Sequence, residues 1–475
     1  MHFTSGTYYA FLIAVFFAYW AIAGRLRLRV VFLIGVSSFF YLLTGGRALW
    51  LLMAISLIDF TTTRLMARQT TQARRKLLLY VSLTVDIGAL CVFKYANFFI
   101  ESAASGLSLF GIKAEAMNLS LLVPVGISFF VFQSFAYVID VYRKDSEPAH
   151  SYLDYLAFVS FFPTIIAGPI LRARQLLPHL RAPLSLDAAS GGQAMFLIAM
   201  GLIKKIAIAD YLRANLVDRV FDFPERFSSL EVMAAVYGYA LQIYADFSGY
   251  SDIAIGSALL LGFTLPDNFN APYRAKDLPE FWRRWHITLS TWLRDYVFFS
   301  FVSRRARSST SLYCGLVVTM LIGGLWHGPA WTFVLWGLMH GLGLAAVRGF
   351  AAFRKRFQRP ASNSRWADAA SIFITFHFVC FAWIWFRADS LDQAASMLNQ
   401  LTALTADTTN LPLPVILLIA IGLATQWMPG NLLNAARSGF ARLPAYAQAS
   451  ALALLAVGLY SVASSDVAPF IYTRF

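Results

Sequence analysis

Residues 312–347 read LYCGLVVTMLIGGLWHGPAWTFVLWGLMHGLGLAAV. Two apolar runs, 312–325 and 331–347, flank a break of glycine, histidine and proline, GGLWHGP at 323–329. A helix needs roughly 20 residues to cross the hydrocarbon of a bilayer, and each run approaches that length. Proline removes a backbone donor and ends helices. Broken backbone at membrane depth survives only when buried in protein or lining a wet cavity. The stretch reads as two membrane-embedded helices with an internal site at the break between them.

Comparable apolar runs recur in both directions from this point. They fall at 8–23, 30–43, 49–66, 77–100, 121–142, 194–209, 230–245, 253–265, 371–386, 413–427 and 450–464. Several are shorter than a full span, so the expectation is about 10–13 transmembrane or re-entrant helices by the length rule. The apolar set makes up 58% of the 475 residues and charged residues 13%. Soluble domains run nearer half apolar and about a quarter charged. The fold class is therefore an all-α polytopic membrane protein. The stretches 353–367 and 401–413 read as loops too short to be domains, so residues 1–475 are expected to form a single membrane domain. No internal repeat is evident, which weighs against a secondary transporter. The first run lacks a basic leader and leads straight into further spans, so no cleaved signal peptide is expected.

The net charge is +14, and Lys and Arg gather at 25–29, 64–76, 172–181, 274–284, 304–307 and 348–359. Such loops lie in the cytoplasm by the positive-inside rule, which places the N-terminus outside. No separate basic soluble domain is present, so nucleic acid is not an expected partner. Cys91, Cys314 and Cys380 sit in apolar segments without C-x-x-C spacing, giving neither a disulfide framework nor a metal site.

Four places could carry chemistry. In EFWRRWHITLSTWLRDYVFF, residues 280–299, a helix at roughly 100° per residue gathers Trp282, Trp285, His286, Leu289, Trp292, Leu293 and Tyr296 on one face. His286 is the readily titrating group on that face. His327 sits in the 323–329 break, and an ionisable group at membrane depth is a functional candidate by default. A neutral histidine suits general base chemistry on a hydroxyl or thioester. His340 follows on the next helix, in LMHG. Finally, YADFSGYSD at 244–252 interrupts apolar sequence with Asp246 and Ser248. This run reads as a hydrogen-bonded helix end or as support for a catalytic histidine. A buried carboxylate there must be paired. His377 lies in an aromatic span and reads as structural. No G-x-S-x-G, P-loop or H-E-x-x-H occurs.

These motifs, in this order, resemble the membrane-bound O-acyltransferase family, and most closely its bacterial branch of alginate and peptidoglycan O-acetyltransferases and teichoic-acid D-alanyl transfer proteins. The matching stretches are 124–143 (PVGISFFVFQSFAYVIDVYR), 161–171 (FFPTIIAGPIL), 244–256 (YADFSGYSDIAIG), 268–273 (NFNAPY), 281–296 (FWRRWHITLSTWLRDY), 323–329 (GGLWHGP) and 336–341 (WGLMHG). The last residues, 470–475 (FIYTRF), resemble the branch's aromatic tail, from which Thr473 and Arg474 depart.

The resemblance implies a ring of helices around a thin centre where a cytoplasmic funnel meets an outer one. The family's invariant histidine falls on His327. The second, often Asn elsewhere in the family, falls on His286. The implied activity is O-acetyl transfer from cytoplasmic acetyl-CoA, with no permanently bound cofactor, to an extracytoplasmic polysaccharide such as alginate, cellulose or peptidoglycan. The implied location is the bacterial inner membrane, and the implied partner is a secreted or membrane-anchored esterase-like protein. Supporting roles fall on Asp246, Ser248, Trp282, Arg283, Arg284, Trp326 and His340. For Arg283, Arg284 and Arg294 the expected role of each taken singly is solvated cytoplasmic charge, with a charge-assisted contact to coenzyme A phosphates as the alternative. D-alanyl transfer to teichoic acid and a non-enzymatic polysaccharide channel are the alternatives.

Overall fold

The computed structural model describes residues 1–44, 46, 48–113, 118–183, 185–302, 309–357 and 364–462. The basic cluster at 304–307, part of the 353–367 loop and the tail at 470–475 lie outside the described residues. Among the described residues every regular element is helical. Seven helices are long and apolar enough to cross a membrane, and the pair Leu413–Trp427 and Gly430–Arg442, bent by 96°, adds an eighth if taken as one span. Large apolar side chains such as Phe17, Trp50, Phe373, Leu454 and Tyr460 are exposed. Lipid is the solvent in which such a surface costs nothing. The chain is a multi-pass membrane protein, as the composition required.

The chain packs as two compact units, 1–187 with 257–266, and 188–256 with 267–475. The first begins with α1 (Gly6–Ala21), whose N-cap Ser5 hydroxyl accepts from the Tyr8 amide. It continues with α2 (Leu26–Leu43), α3 (Leu49–Arg68), α4 (Gln72–Leu109, with a π-helical turn at Cys91–Tyr95), α5 (Ile127–Arg143), α6 (Tyr152–Val159) and α7 (Ala173–Arg181). Residues 257–266, which begin with the last turn of the long helix Ser229–Leu260, are tied to α1. Tyr8 Oη donates to Ser257 Oγ at 2.8 Å, and Trp20 Nε1 donates to the Leu260 carbonyl at 3.0 Å.

Two of this unit's arginines, expected as solvated loop charge, are buried instead. Arg29 donates to the Leu180 and Ala182 carbonyls at the end of α7. Arg75 donates to Met66 O at the end of α3 and to Val141 O and Tyr142 O at the end of α5. Helix C-termini leave unpaired carbonyls and partial negative charge, and a guanidinium satisfies both.

The second unit opens with α8 (Ala188–Leu202), which runs on into the π-helical Ile203–Asp210. Then comes α9 (Ser229–Leu260), one unbroken helix of 32 residues. The apolar runs at 230–245 and 253–265 predict two segments with a helix end at 244–252, and the structure runs straight through it. The polar run lies mid-helix, because its carboxylates find partners sideways on the neighbouring helix. After α10 (Leu278–Arg284) and α11 (Ile287–Trp292) come α12 (Ser309–His327), α13 (Trp331–Arg356), α14 (Arg365–Arg387), α15 (Leu391–Thr402), α16 (Leu413–Ala424), α17 (Gly430–Arg442) and α18 (Ala445–Val462).

The three-residue link 328–330 folds α13 back antiparallel along α12. Glycines let the two backbones touch. A Cβ on Gly324 would lie 2.3 Å from the Phe333 carbonyl oxygen, and one on Gly337 would lie 2.4 Å from that of Met320. Close approach through small residues is how membrane helices pack without a hydrophobic drive. Gly337→Ala should therefore force the hairpin apart and cost about 1–3 kcal/mol, the usual range for overpacking. The check is the fraction of protein that elutes monodisperse after stepwise heating. Gly349→Ala, whose Cβ would meet nothing nearer than Tyr313 Oη at 3.8 Å, should match wild type.

Candidate active site

The 280–299 stretch is not one helix. α10 starts at its N-cap Asp277, whose carboxylate accepts from the Glu280 amide at 2.7 Å. It stops at Arg284, and α11 restarts after His286, which lies in the left-handed region at φ 40°, ψ 58°. That conformation costs a non-glycine residue roughly 1–2 kcal/mol. The segment around Asn268 holds it in place. The Ile287 amide donates to the Asn268 carbonyl at 2.9 Å, and the Asn270 amide donates to the Arg284 carbonyl at 2.9 Å. The Asn268 side-chain oxygen accepts from the Thr288 amide at 3.2 Å and the Thr288 hydroxyl at 2.9 Å.

His286 Nδ1 stands 3.1 Å from the same Asn268 oxygen. An oxygen that already accepts from two donors can only accept from this one too. In the neutral ring the proton is therefore on Nδ1, and Nε2 carries the lone pair. Despite the break, the inward face survives: Trp282, Trp285, His286, Leu289, Trp292, Leu293 and Tyr296 are all buried. Arg283 and Arg294 are exposed.

His327 is the last residue of α12 and is buried. Its ring meets three aromatic rings edge-on: Trp326 at 4.9 Å, Trp336 at 5.1 Å and Phe386 at 5.0 Å. Trp326 also lies 5.9 Å from His286. Trp336 lies 4.8 Å from His340. The three histidines thus sit along one aromatic chain, each separated from the next by a tryptophan. Trp282 closes the chain by donating its indole N–H to His340 Nδ1 at 3.3 Å. That fixes the His340 proton on Nε2, a buried N–H for which no described group is an acceptor.

A model of the membrane-bound O-acyltransferase family matches residues 147–386, which contain all three histidines. A protein of Azotobacter vinelandii named "Probable alginate O-acetylase AlgI" is 42% identical over 331 residues, covering 69% of this chain and 63% of that protein. The protein of the same name from Pseudomonas aeruginosa is 37% identical over 401 residues, 84% of this chain and 74% of its own length. The chain belongs to the membrane-bound O-acyltransferase family. A third relative, "Peptidoglycan O-acetyltransferase" of Helicobacter pylori, is 33% identical over 402 residues, 79% of this chain and 74% of that protein. Membership makes this chain an O-acyltransferase.

The remaining candidates divide between roles in this O-acyltransferase. Asp246, on α9, is ion-paired rather than free: Lys205 Nζ donates to it at 2.5 Å and to Asp210 at 2.9 Å. Its neighbour Phe247 packs edge-on against His286 at 4.5 Å. The Ser248 hydroxyl is buried and has no partner among the described residues. Arg284 is engaged with Glu280 at 2.8 and 2.9 Å and with the Asn270 carbonyl at 3.1 Å, so it clamps the break rather than offering itself to a phosphate. For Glu280, partial burial raises the pKa, but the Lys276 amide and Arg284 outweigh it and hold the carboxyl below its usual value.

Arg294 and Arg348 line a cavity of about 290 Å³ whose other walls are mainly apolar and include Trp282 and Met320. His377 uses both ring nitrogens, on Tyr237 Oη at 2.8 Å and the Phe373 carbonyl at 2.8 Å, which fits its structural reading. Among the described residues no group of three or more His, Cys, Asp or Glu could hold a metal ion. Asn268 was missed as a site residue. Its only signal was its place in the NFNAPY stretch, because the residue it holds is 18 positions away.

Proposed function

We propose that this O-acyltransferase moves acetyl groups from cytoplasmic acetyl-CoA to hydroxyls of an extracytoplasmic polysaccharide, acting in the bacterial inner membrane with an esterase-like partner. The observation that carries the reading is the chain of buried histidines at 286, 327 and 340, inside the family's matched region. His327 acts as the general base. It takes the proton of the acceptor hydroxyl as that oxygen attacks the thioester carbonyl. The C–S bond breaks, the thiolate leaves, and the proton passes from His327 to sulfur. The His340 Nε2–H, buried without an acceptor, is a donor for the carbonyl oxygen as charge builds there. The cavity beside Trp282, with Arg294 and Arg348 at its wall, suits the pantetheine arm and phosphates of the donor. The names of the relatives favour alginate or peptidoglycan as acceptor.

The test uses inside-out membrane vesicles given acetyl-CoA labelled on the acetyl group, together with the polymer and partner encoded nearby. Label should reach the lumenal polymer. Label transferred only from an aminoacyl carrier protein would replace acetyl with D-alanyl transfer. Polymer export without any label transfer would leave the channel reading. The orientation is tested separately. Cysteines at Thr70 and Ser364, in a background without Cys91, Cys314 and Cys380, should resist an impermeant thiol reagent applied from outside intact cells. Labelling of both would reverse the topology.

A further inference from the structure

The first unit buries a pair of carboxyls that acyl transfer does not use. Asp59 lies at the midpoint of α3 and Asp86 on α4, and each is 0% exposed. At 1.5 Å per residue α3 is about 30 Å long, so Asp59 sits about 15 Å from either end. That is the depth of the bilayer centre. Ionisable groups there are expensive and are kept where they pair or carry charge.

Hydrogen-bond accounting locates what the pair needs. The Ser82 hydroxyl donates to Asp59 Oδ1. The hydroxyls of Ser134 and Tyr155, 3.0 Å apart, face the same carboxyl. The other Asp59 oxygen receives no N–H or O–H, and neither oxygen of Asp86 receives one. The two carboxyls lie within hydrogen-bonding reach of each other. The other titratable groups facing them are Tyr137 and Tyr155. Of the basic side chains on α3 and α4, Arg75 is committed to backbone carbonyls and Lys94 donates to Ser128 at 3.1 Å. Arg64 faces Tyr137.

Adjacent carboxylates in an apolar site cannot both be ionised. Asp59 has hydroxyl donors and is the better carboxylate. Asp86 has none and is the better acid. We propose that Asp59 and Asp86 form an intramembrane proton-binding site, the proton resting on Asp86 and donated to the unoccupied oxygen of Asp59. The site stands apart from the acyl-transfer reading and does not depend on it.

Infrared spectroscopy of the purified full-length protein in lipid at neutral pH tests this. A protonated-carboxyl C=O band should be present in wild type, lost in Asp86→Asn and retained in Asp59→Asn. Replacing KCl by NaCl should leave it unchanged. Absence of the band in wild type overturns the proposal, as does its survival in Asp86→Asn. Loss of the band with NaCl would mean a metal cation is the occupant instead. Should Asp86→Asn not elute monodisperse, the wild type is treated with dicyclohexylcarbodiimide, which modifies protonated carboxyls in apolar surroundings. The adduct should map to Asp86 by mass spectrometry while the band falls in step. An adduct found only on other carboxyls overturns the assignment.

Discussion

His327→Ala should abolish acetylation of the surface polymer while the protein still inserts and folds. One positioned histidine acting as general acid–base is typically worth about 100- to 10,000-fold, or roughly 3–5 kcal/mol of barrier. The substitution opens a small space among Trp326, Trp336 and Phe386. His286→Ala should also reduce transfer severely, and it additionally strips Asn268 of one of its donors. His377→Ala should leave activity near wild type. The measurement is acetyl content of the polymer from cells carrying each variant at matched membrane levels. Wild-type acetylation in His327→Ala would sink the catalytic assignment and return the channel reading.

Lys205→Met should do its damage to folding instead. Lys205 stands between Asp246 and Asp210, and all three side chains are less than a tenth exposed. The two helices beside it, α8 and α9, touch. A Cβ on Gly249 of α9 would lie 2.7 Å from the Gly201 carbonyl oxygen of α8. Removing the lysine takes away the cation that the two buried carboxylates share. Breaking a buried pair in this way costs about 3–5 kcal/mol. Thermal unfolding followed by size-exclusion chromatography should show a large fall in stability. Lys204→Met, which breaks the more exposed pair with Asp252, should show a smaller one. Equal, small losses in both would mean that Asp246 is held by something other than Lys205.

The membrane class and the two histidines were legible because both rest on local signals. Apolar runs of spanning length identify the spans, and GGLWHGP advertises its own break. The inward face of 280–299 was also legible, since burial follows the 100° spacing on both sides of the break. What stayed hidden depended on partners far along the chain. The polar run at 244–252 looked like a helix end because Lys205, which satisfies Asp246, lies 41 residues earlier. The break at His286 is made by Asn268, and nothing within the 280–299 stretch announces it. Asp59 and Asp86 each appear alone inside an apolar run, and only the packing of α3 against α4 makes them a pair. Arg29 and Arg75 counted as ordinary basic loop residues until the helix ends they cap were visible.

The left-handed backbone at His286 has a consequence for any survey of variants at that position. The dihedral angles filter substitutions before the chemistry does. Asparagine, aspartate and glycine tolerate this region, whereas β-branched residues do not. A saturation library sorted for folded protein should therefore return Gly, Asn, Asp and His, and should deplete Val, Ile and Thr. Glycine adopts the conformation without strain but leaves a cavity where the buried ring stood and removes its hydrogen bond to Asn268, so it should melt below the native residue. Sorting the same library for acetylation should then separate histidine from the rest. Position 286 would appear in such data as a site where folding admits a few residues and activity admits one.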